Sequence, residues 1–218
     1  MNPDFLAEAM VWIGLVVATF LIGGIPFGLL AGKCKGIDLR NVGSGNIGAT
    51  NAFRMLGKGW GIAVFLLDFA KGYVPLLLVS VWLKDTVSPL DVVMVLCGMG
   101  AVLGHNFSPY LGFKGGKGMA TSAGILLAWI PLALLLCVAV WGLVFLVTRY
   151  VSLASIIAGL ALPVITVVTV PDRLAYIAAA ILLGLMSVWK HRTNIRRLRD
   201  GTEHRFVRRK AEPTHDES

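Results

Sequence analysis

The sequence predicts an all-α, polytopic bundle of seven transmembrane helices, and three observations carry that prediction. Hydrophobic residues make up 56% of the 218 residues and charged residues only 15%, at a mean hydropathy of +0.77, so lipid must cover most of the apolar surface. The apolar residues fall in runs near the ~20 residues that cross a bilayer. The net charge of +8 is gathered in three short segments and in the tail after Trp189, the pattern of loops facing one side of a membrane.

In order, the runs cover residues 6–31, 60–83, 90–103, 119–147, 151–170 and 174–189. The fourth is long for one span and Pro131 interrupts it, so it reads as one kinked helix or as two short tilted ones. Charge decides between them. With Lys33, Lys35, Arg40 and Arg54 inside, the Lys84/Asp85 turn is outside and Lys114 and Lys117 are inside again. One span over 119–147 would leave the tail, rich in arginine from Arg192 onward, on the outer side. Splitting the run near Pro131 returns that tail to the cytoplasm. The expectation is therefore seven spans, the fourth short, with the N-terminus outside and the C-terminus cytoplasmic. A single transmembrane domain, residues 1–206, is followed by a charged, disordered tail at 207–218.

Other classes are excluded on chemical grounds. A nucleic-acid surface needs its basic charge spread over a soluble face. Cys34, Cys97 and Cys137 lie in or beside apolar runs without a CxxC, which reads as small buried hydrophobes with no disulfide framework. His105, His191 and His204 lack a carboxylate or cysteine at ligand spacing, so no metal and no cofactor is expected. Asp4 and Glu8 stand where a secretory leader carries basic residues, which argues against a signal peptide.

The same parity puts three polar segments on one face. The first, VGSGNIGATNAFR at 42–54, satisfies G-x-G-x-x-G through Gly43, Gly45 and Gly48, with Asp68 downstream where a dinucleotide site has its acid. That fingerprint has meaning only in a strand–turn–helix unit, and here the flanks are membrane spans. What remains is a glycine turn with Ser44, Asn46, Gly48, Thr50 and Asn51 before a short helix bearing Arg54, many donors and one forked cation for an oxyanion. Ser and Asn also serve turns for their own sake, which is the blander reading.

The second segment, GHNFSPYLGFKGGKGMAT at 104–121, sets Lys114, Gly115, Gly116, Lys117 and Gly118 before an apolar run through Thr121. Glycines that point successive N–H groups into one concavity, ahead of a helix start, predict an anion site. The spacing is not a P-loop, since Lys117 is followed by glycine. By itself the turn is also what any basic cytoplasmic loop looks like. The third segment, WKHRTNIRRLRDGTEHRF at 189–206, puts His191 and Asn194 on one helical face ahead of Arg197, with Arg196 and Arg199 to either side and Gly201 ending the helix. Alone it resembles a juxtamembrane helix that binds anionic lipid.

Asp68 and Lys71, three apart within a span, are costly in hydrocarbon and are either a functional site or a packing strut. Gly100 and Gly104 suit close helix contact.

Taken together and in this order, SGNIGATNAFR, GHNFSPYLGFKGGKGMAT and HRTNIRRLRDGTE resemble the bacterial acyl-phosphate:glycerol-3-phosphate acyltransferase family, PlsY, over nearly the whole chain. The resemblance implies transfer of a fatty acyl group from acyl phosphate to the sn-1 hydroxyl of glycerol 3-phosphate, giving lysophosphatidic acid and phosphate without coenzyme A or acyl carrier protein. This would be the first acylation of phospholipid synthesis, at the cytoplasmic face of the plasma (inner) membrane, with membrane lipid as the other partner.

The residues agree with that chemistry. No histidine among His105, His191 and His204 has aspartate five places on, so the signature of thioester-using acyltransferases is absent. Acyl phosphate is already activated, and the demand is to screen roughly four negative charges in a partly dry site. Under this reading the Lys114–Gly118 turn holds the donor's phosphate, and Arg54 with Arg196 or Arg197 holds glycerol 3-phosphate, or the two are exchanged. Thr121 and Glu203 are supporting polar groups. His191, beside Asn194 and Ser44, is a candidate base. A substrate phosphate oxygen is its rival, and Ser44 as an acyl-accepting nucleophile is another. A groove opening to lipid near the cytoplasmic surface is expected, to keep the acyl tail in hydrocarbon. Two other classes compete: a transporter of a phosphorylated solute, which would use Asp68 and Lys71 at the midplane, and a lipid-binding scaffold, which leaves the serine and asparagines idle.

Overall fold

The computed structural model describes residues 3–83 and 89–206, which form α-helices and one 3-10 turn with no strand among the described residues. The Lys84/Asp85 turn and the 207–218 tail lie outside them. The first apolar run is two helices, α1 (Pro3–Gly24) and α2 (Phe27–Cys34). Pro26 has no N–H to continue the ladder. The carbonyls freed at the break are served from elsewhere: Ser108 Oγ donates to Gly24 O at 2.7 Å and Lys71 Nζ to Ile25 O at 2.7 Å.

After the first polar segment come α3 (Ala49–Met55) and α4 (Lys58–Trp82), then α5 (Leu90–Asn106) and the 3-10 turn Pro109–Leu111. The long fourth run breaks where the sequence predicts. α6 (Met119–Trp129) ends one residue before Ile130, and Pro131 opens α7 (Pro131–Thr148) from its first turn, where its missing N–H costs nothing. α8 (Val151–Thr169), α9 (Leu174–Lys190) and α10 (Arg192–Arg199) complete the chain.

Among the described residues, five helical segments are long and apolar enough to cross a membrane, or six if α9 and α10, bent by 54° at His191, count as one. The 11 residues of α6, at 1.5 Å each, reach about half-way across a ~30 Å hydrocarbon core.

Helix α1 lies along α5, α4 along α6, and α7, α8 and α9 pack in sequence order. Gly104 permits the first of these contacts, since a Cβ there would overlap the Phe20 carbonyl. One core joins α4 to α9 around Leu76, Ile125 and Ala133, each fully buried. A second, smaller cluster of Leu39, Ala52 and Val64 pins the first polar segment onto α3 and α4. Elsewhere apolar side chains point outward, and only 11% of the α7 span is buried within the protein, as a lipid-facing helix should be. Cys97 and Cys137 are buried as expected. Cys34 is exposed, because it ends α2 on the polar side where no element covers it.

Candidate active site

A cavity of about 690 Å³ opens where the three polar segments meet and continues between α6, α7, α8 and α9. Its polar end is built from side chains that hold one another. In the first segment Asn51, 1% exposed, donates through Nδ2 to Leu39 O and Val42 O, both at 3.1 Å, and accepts from Ser44 N–H at 2.9 Å. These bonds curl the turn, which Gly43 and Gly45 enter at positive φ (61° and 71°). Asn51 is thereby spent on the loop. Ser44, Asn46, Thr50 and Arg54 are left on the cavity wall, and Gly48 caps α3 from its edge. Burial lowers the Arg54 pKa; the nearby Glu203 opposes this and Arg197 adds to it, and the guanidinium stays charged.

The glycines of the second segment act differently from the expectation. Gly116 N–H is occupied by His105 O at 3.1 Å, and a Cβ on Gly116 would run into the buried His105 ring. Of Gly115, Gly116 and Gly118, only Gly118 has positive φ (77°). They let the loop lie against the end of α5, and with the Gly116 N–H taken they do not present an unbroken row of free N–H groups to an anion. Lys114 is exposed and is not among the residues that line the cavity. Thr121 is fully buried behind the wall. Lys117 is the cation of this segment that reaches the cavity, and its ammonium donates to Asn194 Oδ1. Burial lowers its pKa to about 8; Arg197 and Arg54 reinforce this and Glu203 opposes it.

In the third segment His191 sits at the α9–α10 corner, 3% exposed. Its Nδ1 lies 2.8 Å from Ser187 O, an acceptor, so Nδ1 carries the proton and Nε2 the lone pair. Burial, then the charge of Lys117, push the ring down to about 4, so it is neutral near pH 7. Asn194, its Oδ1 taken by Lys117, donates Nδ2 to Glu203 Oε1 at 2.8 Å. Glu203 also accepts from Ser152 Oγ at 2.8 Å and from Arg197 Nε at 2.9 Å. Burial would raise this carboxyl, but the three donors and Arg197's charge outweigh it and its pKa falls. Arg197 is thus tied in, one carboxylate away from the cavity. Arg196, 78% exposed, faces outward 3.9 Å from Asp200 and takes no part.

One residue beyond the three segments, Ser152, and the last residue of the third, Phe206, complete the site. Ser152, the first-turn serine of α8, had no signal in the sequence, being one small polar residue at the head of an apolar run. Phe206 closes the polar end, with ring centroids 5.7 Å from Phe53 and 5.9 Å from Phe145, and its N–H donates to Arg149 O at 2.9 Å.

Asp68 and Lys71 pair at 2.7 Å, each side chain 3% exposed. His105 Nδ1 lies 3.6 Å from Asp68 Oδ1. With Lys71 on Ile25 O, this chain of contacts ties the α1–α2 break to α4 and to the end of α5 that carries the Gly116 loop. The geometry is that of a strut, although Asp68 and His105 also border the cavity.

Two cations, a neutral imidazole, hydroxyls and amides at one end of a cavity, with Leu126, Cys137, Leu162 and Leu183 at the other, suit a phosphorylated head with an apolar tail. The family comparison agrees. A sequence model described as "Glycerol-3-phosphate acyltransferase" matches residues 13–201. The chain belongs to the glycerol-3-phosphate acyltransferase family. A glycerol-3-phosphate acyltransferase of Aquifex aeolicus is 44% identical over 199 residues, covering 88% of this chain and 97% of the relative. One of Fusobacterium nucleatum is 42% identical over 198 residues, covering 90% and 99%. Among solved structures, PlsY, an integral membrane glycerol 3-phosphate acyltransferase, superposes in its glycerol 3-phosphate form with a TM-score of 0.82 at 43% identity, covering 90% of this chain and 96% of that one. Its lysophosphatidic acid form gives 0.81 at 40% identity. The cavity-lining residues from Ser44 to Asn194 fall within the matched region, and Glu203 and Phe206 lie just beyond its end.

Proposed function

We propose that this protein transfers a fatty acyl group from acyl phosphate to the sn-1 hydroxyl of glycerol 3-phosphate, releasing lysophosphatidic acid and inorganic phosphate. Family membership and the names of its relatives support the acceptor and product. The observation that carries the reading is the convergence of Arg54, Lys117 and Asn194, from three separated segments, at the polar end of a cavity whose other end is apolar. Two phosphorylated heads meet the cations there while the acyl tail stays out of water.

In the reaction the sn-1 oxygen attacks the acyl carbonyl carbon, a new ester bond forms, and the bond from that carbon to the phosphate oxygen breaks. Arg54 and Lys117 neutralise the phosphates and hold the hydroxyl near the carbonyl. The hydroxyl proton needs an acceptor. His191, with its pKa at about 4, is a weaker base than a phosphate dianion, whose second pKa is ~6. We assign the proton to a phosphate oxygen and give His191 the role of a neutral hydrogen-bonding group fixed by Ser187. Among the described residues nothing bonds the Ser44 hydroxyl, His191 included, so no activated Ser44 nucleophile is proposed.

The chain sits in the bacterial inner membrane with seven spans, α6 the short one, its N-terminus outside and the polar segments facing the cytoplasm; the distribution of Lys and Arg supports this. Purified protein given acyl phosphate and glycerol 3-phosphate is expected to form lysophosphatidic acid and phosphate, and to form none from acyl coenzyme A. Product from the thioester alone would overturn the donor assignment. Uptake of glycerol 3-phosphate into vesicles without product would favour a transporter.

A further inference from the structure

The apolar half of the cavity has a floor, and we infer that this floor measures the acyl chain: Leu126, Cys137, Leu162 and Leu183 set the longest acyl group that fits extended. The inference rests on the acyltransferase reading and goes beyond it, to which acyl phosphates are preferred.

Register along four helices places the floor. On α8, Ser152 at the polar end bonds Glu203, and Leu162 lies ten residues deeper. On α7, Phe145 meets Phe206 at the polar end, Cys137 lies eight residues away, and Leu134 lines the cavity three residues deeper. On α9, Leu183 is eight residues from His191, and on α6, Leu126 is eight from Gly118. At 1.5 Å per residue, all four lie roughly 12–15 Å below the phosphate end. That depth is about one leaflet of a ~30 Å hydrocarbon core, the space a membrane lipid's own acyl chain occupies.

Leu134, one turn below Cys137, lines the cavity and packs against the buried core, and the four floor residues belong to that core. They are 4–8% exposed. Under them Trp129 stacks on Tyr176 at 5.5 Å and donates its indole N–H to Met94 O at 3.1 Å, so the core there is held on both sides. Between floor and phosphate end, Trp141 Nε1 donates to Ser155 Oγ at 3.2 Å. Those two groups are thus occupied with each other and not with a passing chain. One wall behaves differently. Ile62 and Phe65 of α4 and Val138 of α7 line the cavity and are 44–54% exposed on its lipid side, the side by which a chain enters and product leaves. The floor, unlike that wall, is closed.

Cys137 is the smallest floor residue, and its Sγ lies 4.0 Å from Ala158 O, so enlarging it raises the floor, whereas shortening Leu162 lowers it. The experiment is a competition among octanoyl, dodecanoyl, palmitoyl and arachidoyl phosphate with glycerol 3-phosphate in detergent, the lysophosphatidic acids being resolved by mass. The wild-type profile is expected to fall beyond the chain that reaches the floor. C137F should move the optimum to shorter chains and L162A to longer ones, each methylene of misfit changing relative kcat/KM by roughly 10-fold or more. Opposite shifts in the two variants support the floor; a loss of folding in C137F leaves L162A to decide. A flat profile in wild type, or an unchanged optimum in whichever variants fold, overturns the inference while the acyltransferase reading stands. No product from any chain length overturns that reading and the inference with it.

Discussion

The ammonium of Lys117 hydrogen-bonds the side-chain carbonyl of Asn194, joining segments 77 residues apart. Asn194 passes the connection on to Glu203, which holds Ser152 and Arg197. One buried carboxylate therefore positions the amide that positions Lys117, the lysine proposed to bind phosphate.

Glu203→Gln should consequently act at a distance. The neutral amide loses the charge that compensates Arg197 and cannot accept from three donors equally well. kcat/KM for glycerol 3-phosphate is expected to fall about 100-fold, with stability lowered by roughly 1–3 kcal/mol, read from steady-state kinetics and thermal unfolding in detergent. Unchanged kinetics would remove Glu203 from the site.

The pH profile should break at the high side. Lys117 has its pKa lowered to about 8, so its charge is present below that value and lost as pH rises through it. kcat/KM, which reports the free enzyme, is expected to fall about tenfold per pH unit above the break. Lys117→Arg should move the limb upward beyond the measurable range. An unmoved limb would assign it to another group.

His191→Gln is expected to keep turnover within roughly tenfold, since the ring is not the proton acceptor in this reading. A loss of 10²- to 10⁴-fold with a changed pH profile would restore it as a general base.

For Gly116→Ala, the added methyl meets the His105 ring, which is 5% exposed and has nowhere to go. The loop must lift, carrying Lys117 with it. Activity is expected to fall about 100-fold, with overpacking costing roughly 1–3 kcal/mol. Unchanged activity would show that the loop tolerates the shift and that glycine is not needed there.

Asp68→Asn should be a stability variant. It strands Lys71, 3% exposed, as an uncompensated buried charge, at a cost of roughly 3–5 kcal/mol. Replacing both partners by apolar residues, Asp68→Leu with Lys71→Met, should recover most of the melting temperature. If the double variant is stable but inactive, the pair has a functional role beyond the strut.

Much of the fold was legible because hydrocarbon imposes a simple rule. Run length and charge parity gave the helices and the break near Pro131 in turn, since proline and the ~20-residue requirement act locally. The Pro26 break was missed because the apolar run continues through it, and the carbonyls it frees are answered by Ser108 and Lys71 from far along the chain. Arg197 and Arg196 are adjacent and chemically alike. Which one turns inward depends on Glu203 being there to receive it.

The amino-acid order alone determined that this is a helical membrane protein and that three polar segments share one face, because each rests on composition or local spacing. Tertiary structure decided which groups in those segments are free to meet a ligand. Asn51 is consumed by its own turn, Gly116 N–H by His105, and Lys114 by solvent, whereas Ser152 is drawn in from an apolar helix. A donor or acceptor can be counted in a sequence, but whether it is already satisfied depends on partners tens of residues away, and only packing brings those together.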